Sequence, residues 1–232
     1  MKTIKRLFLI LILLIVAAGG IFTYGGYQKY KQALSDKPLD TVVRDLRLRE
    51  DYTVYEDIAP FYFDAVVAVE DRRFYDHRGF DLIGTGRAIV TDIKNGKLME
   101  GGSTISQQLA KNLYFPEDNT LERKVAEIFM ANLIEKNYSK EDVLEFYANV
   151  IYFGSGYYNI YDASKGYYKT TPAKLNEYEA SMLAGIPNAP SAYSPDVNPD
   201  LASQRQRQVL KSMKECGYIK KTDIERIMNM ED

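Results

Sequence analysis

Residues 7–24 form an almost uninterrupted apolar run preceded by Lys2, Lys5 and Arg6, and no other segment constrains the chain as strongly. A helix of that length rises roughly 27 Å, close to the ~30 Å hydrocarbon core of a bilayer. Cations on its N-terminal flank predict that this flank is cytoplasmic and that the following residues emerge on the other side. Ala17, Ala18, Gly19 and Gly20 resemble the small-residue region of a cleaved signal peptide, but the apolar core continues past them through Ile21, Phe22 and Tyr24. That is longer than a signal core usually runs, and it favours an uncleaved anchor. The expected organisation is a cytoplasmic tip and transmembrane helix over residues 1–27, a polar stalk over 28–38 without apolar periodicity, and one globular domain over 39–232.

Basic and acidic residues nearly cancel, 30 against 32, so no global field for nucleic acid exists and any basic site must be local. The single Cys216 excludes an internal disulfide, and no Cys/His cluster offers a thiolate zinc site. Beyond residue 39, helical signals are separated by Gly, Pro and Asn, and alternating strands are few, so the domain is expected to be mainly α.

Three stretches carry chemistry. Ala65-Val66-Val67-Ala68-Val69 leads directly into Glu70-Asp71, with Phe74, His77 and Gly79 following. A carboxylate emerging from an apolar run is partly desolvated, which raises its pKa towards the range of a general base. An ordinary helix end, or a strand of β-branched residues, explains the same pattern, and a lone His is more often structural. The second stretch, residues 101–113, is a glycine loop opening into a helix, with Thr104 and Gln107 at capping-box spacing. Thr104, Gln107, Gln108 and Lys111 share one helical face opposite Ile105, Leu109 and Leu113. That face suits either water or a phosphate and sugar at a helix start. In the third, Asn119 is a plausible cap before Glu122, and Arg123, Lys124 and Glu127 fall on one side of the next helix. Local ion pairing fits poorly there, since cations in a first turn oppose the helix dipole and Arg before Glu is the weaker order. An anion or metal–anion site fits better.

Together these stretches resemble successive motifs of the peptidoglycan glycosyltransferases, which include the transglycosylase domain of class A penicillin-binding proteins and their monofunctional relatives. Glu70-Asp71-x-x-Phe74-x-x-His77-x-Gly79, Gly102-Ser103-Thr104-Ile105-x-Gln107-Gln108-x-x-Lys111-Asn112 and Arg123-Lys124-x-x-Glu127 carry the likeness. Residues 144–154 look like a fourth motif, and Ala163-Ser164 with Tyr167-Tyr168 like a fifth. The likeness extends over residues 183–195 and covers essentially the whole domain. Ala148, Tyr168 and Asn119 depart from the usual residues, the last in a loop where many relatives are basic.

The resemblance implies a lysozyme-like helical domain with a small membrane-associated subdomain, its apolar surface drawn from Leu82, Ile83, Ile89, Val90, Ile93, Leu98 and Met99. It implies that Glu70 deprotonates the acceptor 4-hydroxyl of lipid II, which displaces the lipid pyrophosphate of the growing glycan strand with inversion to a β-1,4 linkage. Glu127 is then expected near the pyrophosphate, as an acid or as ligand of a divalent metal, Mg or Mn. Substrate contacts are expected from Asp71, Ser103, Thr104, Gln107, Gln108, Lys111, Asn112, Arg123 and Lys124. The implied setting is the cell membrane, single-pass with the domain extracytoplasmic. The implied partners are lipid II, the glycan strand, the cytoplasmic membrane and other cell-wall synthesis proteins, with no nucleic acid. No S-x-x-K, S-D-N or K-T-G motif occurs, so glycan synthesis without cross-linking is expected. A glycan-cleaving enzyme is the nearest rival, since paired carboxylates also serve hydrolysis. Lys111, Arg123 and Lys124 argue for the transferase, because a hydrolase needs no pyrophosphate cradle.

Overall fold

The apolar run ending at Glu70 is helical despite its β-branched valines, because it is buried on every side. A computed structural model describes residues 2–95, 102–116 and 120–230. Among them are twelve α-helices and no strand. In chain order they are α1 (Lys2–Asp36), α2 (Leu39–Arg47), α3 (Pro60–Glu70), α4 (Leu82–Asn95), α5 (Ile105–Tyr114) and α6 (Leu121–Asn137). Then follow α7 (Lys140–Ala148), α8 (Ile160–Tyr168), α9 (Glu177–Gly185), α10 (Pro190–Tyr193), α11 (Pro199–Glu215) and α12 (Lys221–Met228). The domain is mainly α, as its sequence predicts.

α3 starts with Pro60 in its first turn and buries Tyr62, Phe63, Ala65, Val66, Val67 and Ala68. It packs against α9 and α11, which also pack against each other. A helix apolar all round belongs in the centre of a domain, and α3 occupies that place. Its last residue, Glu70, is thereby delivered at the edge of the core.

The expected stalk is instead the continuation of α1, which runs unbroken to Asp36 and packs against α6. Residues 5–36 are long and apolar enough to cross a membrane. Tyr30, Ala33 and Leu34 pack onto the domain core, and the Tyr27 and Tyr30 rings lie 5.3 and 5.7 Å from that of Phe129. Gly26, Tyr30, Ala33 and Leu34 follow a helical period, but the charged residues between them hide it in the sequence. Gly26 has no room for a side chain: a Cβ there would lie 2.4 Å from Val125 Cβ and 2.7 Å from the Glu122 carbonyl oxygen. Gly26→Leu is therefore expected to lift α1 off α6. In protein reconstituted in vesicles it should lower the glycan polymerisation that the resemblance implies by about tenfold or more, as small misplacements of a reacting site do. Circular dichroism should show the domain still folded, and full activity of the variant would refute a role for this contact.

In α4, Leu82, Ile83 and Val90 are exposed, at 75%, 62% and 51%. These aliphatics form the kind of surface expected of an apolar subdomain. The side chains of Ile89 and Ile93, and Leu98 and Met99 altogether, lie outside the described residues.

Candidate active site

Glu70 ends α3 with its side chain only 9% exposed. One carboxylate oxygen accepts from Gln108 Nε2 at 2.7 Å, and the other faces Arg205 Nη2 at 3.5 Å. Burial pushes the Glu70 pKa up, while the Gln108 hydrogen bond and the Arg205 charge pull against it. Arg205 comes from α11, 135 residues further along the chain. It is held by the Gly185 carbonyl, which accepts from its Nε at 3.3 Å, and lies 5.7 Å from the Tyr193 ring centroid. Sequence reasoning missed it, because an arginine within an amphipathic helix reads as a solvated face. Removing its charge in Arg205→Gln should raise the Glu70 pKa further. A base works only when deprotonated, so the acidic limb of the kcat/KM profile should move to higher pH. A pH–rate profile with an unmoved acidic limb would show that Arg205 does not act on Glu70.

α5 is set by a capping box. Thr104 Oγ1 accepts from Gln107 N at 3.1 Å, and Gln107 Oε1 accepts from Thr104 N at 2.9 Å. Thr104 also donates to the Gly79 carbonyl at 2.7 Å. Gly79 takes φ +61°, with α6 so close that a Cβ would sit 2.6 Å from Asn132 N. Thr104 and Gln107 are buried, and of these two expected substrate contacts the Thr104 hydroxyl and the Gln107 amide oxygen are engaged at the helix start. The polar face of α5 is thus split. Gln108 turns to Glu70, and Gln108, Lys111 and Asn112 line a cavity of about 520 Å³ with residues 187–192, Ile151 and Tyr152. Tyr147 OH donates to Gln108 Oε1 at 3.5 Å, extending the chain of polar contacts behind Glu70.

Asp71 is buried as well. It accepts from the Ile105 amide at 3.2 Å and pairs with His77 Nε2 at 2.9 Å. Asp71 and His77 thereby tie the end of α3 to the start of α5, the structural role that a lone His suggests. The fourth motif is likewise a brace: Glu145 accepts from Tyr52 OH and from the Tyr55 amide at 2.7 Å, and buried Asn149 exchanges two 2.8 Å hydrogen bonds with Thr53.

Glu127 lies on α6, 1% exposed. Arg123 Nη1 is in contact with one of its oxygens, and Lys124 Nζ donates to the other at 2.8 Å and to Ser103 Oγ at 2.6 Å. The ion pairing that dipole and order arguments disfavour is therefore present. Burial of the carboxylate in a low-dielectric site outweighs the unfavourable helix-end position. The cap of α6 is Thr120, whose Oγ1 accepts from Arg123 N at 3.3 Å; Asn119 lies outside the described residues. Ser103 and Gln108 flank the first turn of α5, so that turn carries the Glu127 cluster on one side and Glu70 on the other.

The fit of a divalent ion to Glu127 follows from these contacts. Both oxygens are already held by cations, and Glu127 belongs to no group of three or more metal-ligating side chains among the described residues. The one trio spaced for a metal among those residues is Asp71, His77 and Asp81. Asp71 there is committed to Ile105 and His77, and Asp81 to the Ile83 amide and Arg73. A metal resting on Glu127 alone does not fit this arrangement.

A desolvated carboxylate beside an amide-lined cavity, with a second carboxylate clasped by two cations across one helix start, gathers residues of all three motifs around α5. The chain belongs to the transglycosylase family, whose profile, described as Transglycosylase, matches residues 36–214. Its lysozyme-like helical fold is the one expected of that family. The chain is 46% identical over 156 residues to penicillin-binding protein 1F of Bacillus subtilis, covering 67% of this chain and 22% of the relative. It is 43% identical over 171 residues to penicillin-binding protein 1A of Neisseria flavescens, covering 74% and 21%. Against penicillin-binding protein 1A of Aquifex aeolicus it is 40% identical over 178 residues, covering 77% and 24%. The chain thus spans less than a quarter of the length of these relatives.

Proposed function

We propose that this chain is a peptidoglycan glycosyltransferase that polymerises lipid II into β-1,4 glycan strands outside the cytoplasmic membrane. One observation carries the reading. The first turn of α5 joins the buried Glu70 carboxylate to a cluster of fixed cations, and α1 packs on the helix that carries those cations. Gly26 sits against Glu122 and Val125, so Arg123 and Lys124 lie one helical turn from the point where the anchor meets the domain. With residues 7–24 spanning the bilayer in the proposed single-pass arrangement, that point falls near the headgroups, where the diphosphate of a membrane lipid resides.

In the proposed step, the acceptor 4-hydroxyl gives its proton to Glu70 and its oxygen bonds to the anomeric carbon of the growing strand. The bond from that carbon to the diphosphate breaks, and the leaving charge is met by Arg123, Lys124 and Lys111. A single displacement of this kind inverts the anomeric centre. Glu127 holds Arg123 and Lys124 in place. A divalent ion, Mg or Mn, is expected to arrive with the diphosphate and to supply further charge neutralisation there. These 232 residues contain no serine-nucleophile motif, so we propose that they polymerise without cross-linking. The cationic flank of α1 supports a single-pass anchor with the domain extracytoplasmic.

The test is a gel assay of purified protein with lipid-linked disaccharide. A ladder of lengthening glycans is the expected result. Absence of polymer under conditions in which the protein remains folded and membrane-bound would overturn the reading, and shortening of added glycan would favour the hydrolase.

A further inference from the structure

Tyr152 and Tyr158 form an aromatic pair at the mouth of the cavity that begins at Gln108. Their ring centroids are 4.6 Å apart with planes tilted by 31°. Tyr158 is 60% exposed, whereas Tyr152 lines the same cavity as Gln108, Lys111, Asn112 and Asn188. The pair therefore continues the cavity wall outward into solvent.

The loop holding these rings is built to be rigid. Phe153 N donates to the Tyr157 carbonyl at 2.8 Å, and Tyr157 N to that of Gly154 at 2.9 Å. Gly156 N reaches Tyr152 OH at 3.4 Å. Ser155 takes φ +49°, a left-handed conformation uncommon for a residue with a side chain, and its hydroxyl is 2.9 Å from that of Ser194. Tyr167 OH fastens the Phe153 carbonyl at 2.8 Å. Strain fixed by so many contacts presents the two rings at little entropic cost on binding.

We propose that Tyr152 and Tyr158 form a stacking platform for one pyranose ring of the β-1,4-linked N-acetylhexosamine strand, a reading that rests on the proposed function. The carbon–hydrogen face of a pyranose packs on an aromatic face, while its hydroxyl and acetamido groups need amide and ammonium partners. Asn112, Asn188 and Lys111 supply those partners in the adjoining cavity. Tyrosine suits the boundary, with an apolar body and a polar tip. Stacking tolerates a shift by one repeat better than directional hydrogen bonds do, so the platform retains the strand while letting it advance.

The chain contains no tryptophan, so Tyr158→Trp introduces a single fluorophore at the platform. In the full chain in detergent, titration with a β-1,4-linked N-acetylglucosamine hexamer should give a saturable emission change that an α-linked glucose hexamer does not give. With lipid-linked disaccharide, Tyr158→Ala should shorten the mean product strand by about two- to tenfold, the effect of losing one aromatic contact, and Tyr158→Phe should retain the wild-type length. An emission that does not respond to the hexamer, or an unchanged strand length in Tyr158→Ala, overturns the platform. The titration needs no turnover. A wild-type protein that makes no polymer counts against the proposed function alone, and one that polymerises without hexamer binding at Tyr158→Trp counts against the platform alone.

Discussion

Glu70→Gln is expected to reduce glycan polymerisation by about 10²–10⁴-fold, the usual cost of removing a positioned base. Binding of a phosphoglycolipid donor mimic should stay close to that of the wild type, because the cations that meet the diphosphate stand on α5 and α6 and not around Glu70. The amide retains the local geometry, since its oxygen still accepts from Gln108 Nε2. Stability gives a second readout. Burial holds the Glu70 pKa above its unfolded value, so the carboxyl contributes stability that is full below the unfolded pKa and is lost as pH rises through the folded one. The glutamine variant should lack that pH dependence, and it should also lack the acidic limb of the wild-type rate profile. Measured rates, mimic affinity and melting temperature against pH test the assignment together. Near wild-type polymerisation by Glu70→Gln would remove Glu70 from the role of base.

How much of this site was legible in the sequence depends on whether its determinants were local. Glu70 was in part, because a carboxylate emerging from an apolar run is partly desolvated, although the β-branched residues before it left helix and strand open. The capping box of Thr104 and Gln107 was also readable, although the burial of both side chains was not. Arg205 and the Tyr152–Tyr158 pair were not legible. The first reaches Glu70 across 135 residues of chain, and the second depends on a loop whose left-handed Ser155 has no strong residue signature. The docking of α1 was hidden for a different reason. Its contact stripe is narrow and starts with a glycine, so polar neighbours dominate the composition of residues 28–38 and suggest a stalk. For Glu127 the sequence held the right residues but the wrong balance. Helix-end electrostatics argued against pairing with Arg123 and Lys124, yet a carboxylate only 1% exposed has no alternative partner as strong.

That clasp makes Glu127→Gln the most informative substitution after Glu70→Gln. With the amide, Arg123 and Lys124 lose the charge that fixes them, and a partly buried guanidinium is left uncompensated. Breaking a wholly buried pair costs about 3–5 kcal/mol, and roughly half of that is reasonable here because Lys124 is 45% exposed. The larger effect is on rate. Cations that are no longer held at the position where diphosphate charge develops stabilise the transition state less, and loss of one such preorganised interaction typically costs about 10²–10³ in turnover. Ground-state binding should behave differently. Freed of Glu127, the two cations remain available to an anion, so affinity for a phosphoglycolipid mimic should hold or tighten while polymerisation falls. The midpoint of the proposed Mg²⁺ dependence should stay at its wild-type value, because an ion that arrives with the diphosphate does not depend on this carboxylate. Polymerisation rates over a Mg²⁺ series, with mimic binding measured on the same preparations, decide the matter. Weakened mimic binding together with a raised Mg²⁺ midpoint in Glu127→Gln would place the metal on Glu127 and refute its role as the holder of Arg123 and Lys124.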